Sequence, residues 1–262
     1  MSSKIAPFFT IRNSPGKGLG VFAATAISPG QVVLQESQVI HCKYLARPDD
    51  PRQFEQHRNV LGQWNDLPSN LRTHLAALHV AEDAPGARAY LRTFTQREHA
   101  HPLAIFYSNS HIYIDIESKP RRGLFPLASR INNSCEPNLL HDITSDGVIN
   151  CVAIRDIDAG EELTISYVGS YLTNEARKKH FRGLWDFECD CPRCAGRLRL
   201  PQTTELPGIG TFGDVFTAED LQKSLSPPGG IDLRELWSWM ALQLARIKYF
   251  QENGHVSRLY FA

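Results

Sequence analysis

A mainly β fold with some α structure is what this chain predicts, and three observations carry the prediction. Short β-like runs bounded by Gly, Pro, Asn and Asp stand on either side of a helix-patterned stretch, and a CxCxxC cluster follows at 189–194. The 262 residues, 42% of them apolar, suffice for one large domain or for one domain with an appendage.

The elements follow in chain order. Residues 8–11, 18–24 and 32–42 are β-branched or apolar runs between turn residues, and they predict strands. From about 43 to 101 the period changes: Leu61, Trp64, Leu67, Leu71, Leu75 and Leu78 form an apolar stripe across an interruption at Pro68, which predicts a helical insert. Strand patterning returns at 112–116, 139–144, 148–154 and 163–167, so the expected sheets are small and largely antiparallel. After Cys194 a Gly- and Pro-rich connector leads to an apolar stripe at 233–251, which predicts a C-terminal helix. No internal repeat is visible.

Charge and cysteine content narrow the chemistry. Twenty-eight basic residues balance 28 acidic ones, so no global field attracts nucleic acid or an anionic membrane. No run reads as a secretory signal or a membrane span, and an intracellular protein, cytoplasmic or nuclear, is expected. Six cysteines do not make a disulfide scaffold in a chain of this length, but Cys189, Cys191 and Cys194 have metal-ligand spacing. Structural zinc takes four tetrahedral ligands, so a fourth comes from elsewhere. Of Cys42, Cys135 and Cys151, Cys135 stands out because it sits in a Ser/Pro/Asn-rich turn. Cys42 and Cys151 lie in apolar, strand-like surroundings and read as inert core thiols.

Four motifs stand in order: GKGLGVFA at 16–23, NNSCEPN at 132–138, GEELTISY at 160–167, and WDFECDCPRC at 185–194. In this order they resemble the SET domain of the protein-lysine methyltransferase family, over residues 8–194. The chain is most similar to SMYD-like and fungal SET proteins, whose domain is split by a helical insert. It lacks their MYND-type finger there, since no CxxC or HxxxC spacing occurs between Lys43 and His101.

The resemblance implies small antiparallel sheets around a knot-like core, with a SET domain at 8–188, the insert at about 43–101, a post-SET zinc segment at 189–196, and a connector with a helical segment at 197–262. It implies transfer of methyl groups from S-adenosylmethionine to lysine side chains of a protein substrate, histone or non-histone. Tyr167, at the end of its strand, would align amine and methyl, because such an in-line displacement rests on positioning and desolvation. Cofactor contacts fall to Gly16, Lys17, Gly18, Leu19, Asn132, Asn133, Tyr167 and Phe187, with Lys17 facing the carboxylate of the cofactor and Phe187 stacking on its adenine. Asn133 stands where the family usually has histidine, and Trp185 stands in the substrate channel where a tyrosine is common. Zinc at Cys135, Cys189, Cys191 and Cys194 would tie the tail to the NNSCEPN turn.

The expected partner is a lysine-bearing protein, with no nucleic acid or membrane, and the chain is expected to be monomeric. A second expectation rests on Asn133 and Trp185: a SET-like protein without lysine methyl transfer, serving as a binding module or acting on a small molecule. Asn138, after Pro137, reads as a turn brace. Arg177, Lys178, Lys179 and His180 read as a solvated helix face, and His99 and His101 lack the ligands to complete a metal site.

Overall fold

A computed structural model describes residues 8–45, 50–81, 97–168 and 174–196. Among the described residues, ten strands form three sheets. In the first, β1 (Phe9–Ser14), β2 (Gly18–Ala23), β10 (Glu162–Ile165) and β7 (Asn132–Asn133) lie in the order β1-β2-β10-β7. The second is β3-β9-β8, from Val32–Ser37, Val148–Ala153 and Leu139–Ile143. The third is β4-β6-β5, from Ile40–Lys43, Pro120–Leu124 and His111–Ile114.

Every sheet pairing is antiparallel except that of β10 with β7, which runs parallel and sets Ile165 opposite Asn133. That one parallel contact matters for the site. It lays the GEELTISY strand beside the NNSCEPN turn, and the Ser134 N–H donates to the Ile165 carbonyl at 2.9 Å.

Among the described residues the α-helices are α1 (Gln53–Asp66), α2 (Ser69–Ala76), α3 (Arg97–Asn109) and α4 (Asn174–Trp185). Pro68 separates α1 from α2, as its missing N–H and fixed φ favour. Trp64, Leu75 and Leu78 of the predicted stripe are buried with Leu103, Ile105 and Phe106 in one core cluster. A second cluster, centred on Val21, Leu34, Ile149, Cys151, Leu163 and Ile165, joins the first two sheets.

Four expectations are corrected. The run 32–42 is two strands, because the chain leaves one sheet after Ser37 and enters another at Ile40. Strand β6 was not expected, since Pro120, Arg121 and Arg122 break the apolar alternation. Helical structure in the insert runs past 101 to Asn109, across Pro102, because Leu103, Ala104, Ile105 and Phe106 are all fully buried. Arg177 is not on a solvated face: it is fully buried within α4, whereas Lys179 and His180 are exposed. The predicted C-terminal helix lies outside the described residues.

Candidate active site and four-cysteine centre

The GKGLG segment turns between β1 and β2. Gly16 and Gly18 both have φ of +76°, a left-handed backbone that glycine adopts without strain. A Cβ on either would meet nothing within 4 Å, so backbone conformation rather than crowding selects them. Close approach belongs instead to Gly20, where a Cβ would lie 2.6 Å from Glu162 Oε1 and 2.8 Å from Asn132 Nδ2.

Asn132 links the glycine turn to the strand motif. Its Nδ2 donates to Glu162 Oε1 at 2.8 Å and to the Leu19 carbonyl at 3.3 Å. Lys17, expected to face the carboxylate of the cofactor, pairs with the protein's own Glu162 at 3.2 Å. Glu162 is thus the acidic hub that sequence reading missed. The signal was the doubled acid in GEEL, whose members divide the work: Glu162 serves Lys17 and Asn132, while Glu161 accepts from Asn138 Nδ2 at 3.1 Å and pairs with Arg155.

Asn138 is the brace the Pro-Asn pair suggested. It is buried, donates to the Glu162 carbonyl at 2.8 Å and accepts from the Thr164 N–H at 2.8 Å, stitching the turn to β10.

Tyr167 follows β10 directly. Its hydroxyl donates to the Ile131 carbonyl at 2.8 Å, and its own N–H donates to Asn133 Oδ1 at 3.0 Å. Burial, and secondarily the charge of Glu162, pushes the phenol well above its ordinary value, so it stays protonated at neutral pH. The Trp185 ring lies 5.3 Å from that of Tyr167, and the indole N–H donates to the Ser108 carbonyl at 2.9 Å. Trp185 therefore pins the end of α4 to α3. Phe187 stacks on Phe181 at 4.9 Å and meets the Tyr167 ring edge-on at 6.5 Å, so one of its faces is taken by the protein.

Helix α4 ends at Trp185, and Asp186 then adopts a φ of +55°, a left-handed position that aspartate tolerates and that redirects the chain beyond the helix. The sulfurs of Cys135, Cys189, Cys191 and Cys194 all lie within 4.8 Å of one another. Cys135 Sγ is 3.9 Å from Cys189 Sγ and 3.4 Å from Cys194 Sγ. Four sulfurs around a zinc ion, each at about 2.3 Å, stand about 3.8 Å apart, so this donor set fits a structural zinc site.

The thiols divide their protons accordingly. Hydrogen bonding from Cys135 and then Cys189 holds the Cys191 thiol far below its usual range, while bonding to Cys189 and Cys191, with burial, holds Cys135 up. Cys42 and Cys151 lie apart and buried, each thiol pushed up to about 12 chiefly by burial, as inert core cysteines should be. Arg193 Nη1 reaches the Cys135 carbonyl at 3.4 Å and adds a second tie between tail and turn.

Asn133 joins the two halves of the site. Buried at 6% exposure, it accepts from the Tyr167 N–H and donates through Nδ2 to Cys189 Sγ at 3.4 Å. Tyr167, Trp185, Phe187 and the four cysteines pack in one cluster around Phe181. The glycine turn connects to that cluster through Asn132 and the β7–β10 pair. His101 is exposed and joins no metal-ligand group among the described residues; the side chain of His99 lies outside them.

A family model for the SET domain matches residues 18–168, more than half of the chain, and the protein belongs to that family. Among individual relatives, the histone-lysine N-methyltransferase SMYD3 of Homo sapiens is 37% identical over 118 residues, covering 45% of this chain and 25% of that protein. The histone-lysine N-methyltransferase set5 of Schizosaccharomyces pombe is 28% identical over 188 residues, 69% of this chain and 48% of that protein. ASHR1 of Arabidopsis thaliana, another histone-lysine N-methyltransferase, is 35% identical over 100 residues, 38% of this chain and 21% of that protein. The chain thus spans between about a fifth and a half of the length of these relatives.

Proposed function

We propose that the protein transfers methyl groups from S-adenosylmethionine to lysine side chains of a protein substrate, histone or non-histone. One observation carries this reading: Tyr167 stands at the end of a SET-domain strand with its hydroxyl fixed on the Ile131 carbonyl and its backbone fixed by Asn133. The relatives named as histone-lysine N-methyltransferases support the substrate class.

S-adenosylmethionine, when bound, supplies an electrophilic methyl group on a sulfonium. The residues present fit it: Gly16, Lys17, Gly18 and Leu19 form an exposed turn, and Asn132 links that turn to the strand bearing Tyr167. Phe187 lies at the same end, in edge-on contact with Tyr167, where an adenine can stack. Glu162 places a carboxylate next to Lys17 and Asn132, and it favours a cationic ligand nearby.

Tyr167 acts as a neutral phenol, an orienting dipole rather than a base, since its proton is held tightly. Desolvation against an apolar wall that includes Trp185 would favour release of the acceptor lysine's proton to solvent before transfer, and a sulfonium held alongside would act in the same direction. With its N–H committed to Ser108, Trp185 contributes ring carbon to the channel and no hydroxyl. The four-cysteine centre, loaded with zinc, holds the tail carrying Phe187 against the NNSCEPN turn.

The test is transfer of labelled methyl from S-adenosylmethionine to histones or a cell extract. Wild-type protein labels a protein band, and Tyr167→Phe lowers the rate on the order of a hundredfold while calorimetry still records cofactor binding. Wild-type protein that neither binds the cofactor nor transfers label overturns the reading.

A further inference from the structure

We propose that Asn133 is a positioning residue that couples the four-cysteine centre to Tyr167. The proposal rests on the reading of Tyr167 as the methyl-transfer tyrosine. The side chain of Asn133 divides into two arms with different partners. Its carbonyl oxygen takes the backbone N–H of Tyr167 at 3.0 Å, and its amide nitrogen donates to Cys189 Sγ at 3.4 Å.

Both arms are needed where they stand. Asn133 is buried, so either half of the amide left without its partner is costly. Its backbone is held as well, by parallel pairing with Ile165 and by the following Ser134 N–H on the Ile165 carbonyl. The side chain therefore cannot follow Cys189 without pulling on the start of the Tyr167 residue. Two residues later, Cys135 enters the same sulfur cluster, so the segment is gripped on both sides.

The sulfur arm has a chemical role. Four thiolates around one divalent cation leave the centre net negative, and an N–H directed at one sulfur disperses that charge. Metal loading fixes Cys189, Cys189 fixes the Asn133 amide, and the amide fixes the Tyr167 main chain from which the phenol reaches the Ile131 carbonyl. An amide supplies an acceptor and a donor on two atoms bonded to one carbon, and a neutral imidazole supplies the same pair of functions across its ring.

The experiment uses the full chain loaded with cobalt(II) as a coloured stand-in for zinc. Asn133→Asp keeps the acceptor for the Tyr167 N–H and replaces the sulfur donor with an anionic oxygen. It is expected to weaken metal affinity about ten- to a hundredfold in chelator competition and to shift the thiolate-to-cobalt charge-transfer band. Asn133→His, which retains an acceptor and a donor, restores both. Should the carboxylate prevent folding, Asn133→Ala removes both arms without burying a charge and carries the same expectation.

Coupling is read without activity, by fluorine NMR of protein labelled with fluorotyrosine. The Tyr167 resonance is assigned by its absence from Tyr167→Phe. Saturating metal shifts it in wild-type protein and in Asn133→His, and leaves it in place in Asn133→Asp. In turnover, Asn133→Asp at saturating metal lowers kcat, as loss of transition-state alignment requires.

Wild-type metal affinity and spectrum in Asn133→Asp, or an unchanged metal-induced shift of its Tyr167 resonance, overturns the coupling. So does failure of the wild-type chain to bind metal at all. If the metal and fluorine results hold while no methyl is transferred, the coupling stands and the enzymatic reading falls.

Discussion

Asn138 shows how much one side chain can secure. It holds the Glu162 carbonyl and the Thr164 N–H, both on β10, from a site with 1% exposure, so Asn138→Ala leaves two buried backbone groups unmet. The expected cost is about 2 to 4 kcal/mol, seen as a lower denaturant midpoint at unchanged slope; a loss within error of zero would remove Asn138 as the brace. Its role was readable from the sequence because a polar residue after proline has few other uses. The cysteines were readable for a similar reason, their spacing admitting few chemistries. Glu162 and Ser108 were not readable: one is an acid among many, the other contributes only a carbonyl, and each acquires meaning from a partner 30 or 77 residues away. Arg177 misled in the opposite direction, because a run of basic residues gives no sign that one of them turns inward.

Between elements, the clearest electrostatic junction is that of β5 with β8. His111 and His141 meet with ring centroids 5.3 Å apart, and His111 also lies edge-on to Phe125 at 5.9 Å. Burial pushes His111 down to about 3, helped by His141 and Arg122, and pushes His141 down to about 4. Both are therefore neutral when folded and free to protonate when unfolded. Their folded values lie below the ordinary 6.5, so their full contribution is present above about pH 6.5 and is lost as pH falls from there toward 4. At pH 5.5 the loss is about 1 kcal/mol for each imidazole. Glu36 and Asp142, held above the usual carboxylate range mainly by burial, act in the opposite sense, and because His141→Gln leaves both in place, the difference between the two proteins between pH 7 and 5.5 isolates the histidine. Urea titrations of wild type and of His141→Gln should diverge across that window, the variant losing less stability; parallel curves would refute the assignment. Helix α4 gives a second test at this scale. Trp185→Phe removes the donor to the Ser108 carbonyl that ties α4 to α3, and it is expected to cost about 1 kcal/mol in the same titration. Helices α1 and α2 and most strands followed from periodicity. Besides the run 32–42, which divides between two sheets, β6 and the far end of α3 were misread, where Arg-rich or Pro-containing sequence is overruled by pairing and burial.

At the scale of the whole molecule, four motifs far apart in the chain meet in one place, and their order alone made the family resemblance legible. Sequence could not supply the connections among them, because those run through main-chain atoms: the Ile131 and Leu19 carbonyls, the Tyr167 N–H and the parallel β7–β10 pair. Those connections leave the three sheets unequally dependent on the cysteine centre. Asn133, Cys135 and the segment from Phe187 to Cys194 join it directly, whereas β3, β9 and β8 are held by their own ladder and by apolar packing around Ile149 and Cys151. Metal removal should therefore loosen one side of the molecule and spare the other. Dialysis against a zinc-selective chelator is expected to raise amide exchange in Asn133, Ser134, Tyr167 and residues 187–196 while leaving Gln35, Ile149 and Cys151 protected. The thermal midpoint should fall by about 5 °C or more and recover on adding zinc, since the binding energy of a structural site is part of the folding energy. Uniform exchange across all three sheets would mean that the centre supports the entire fold. Unchanged exchange everywhere would mean that the four thiols hold no structural metal.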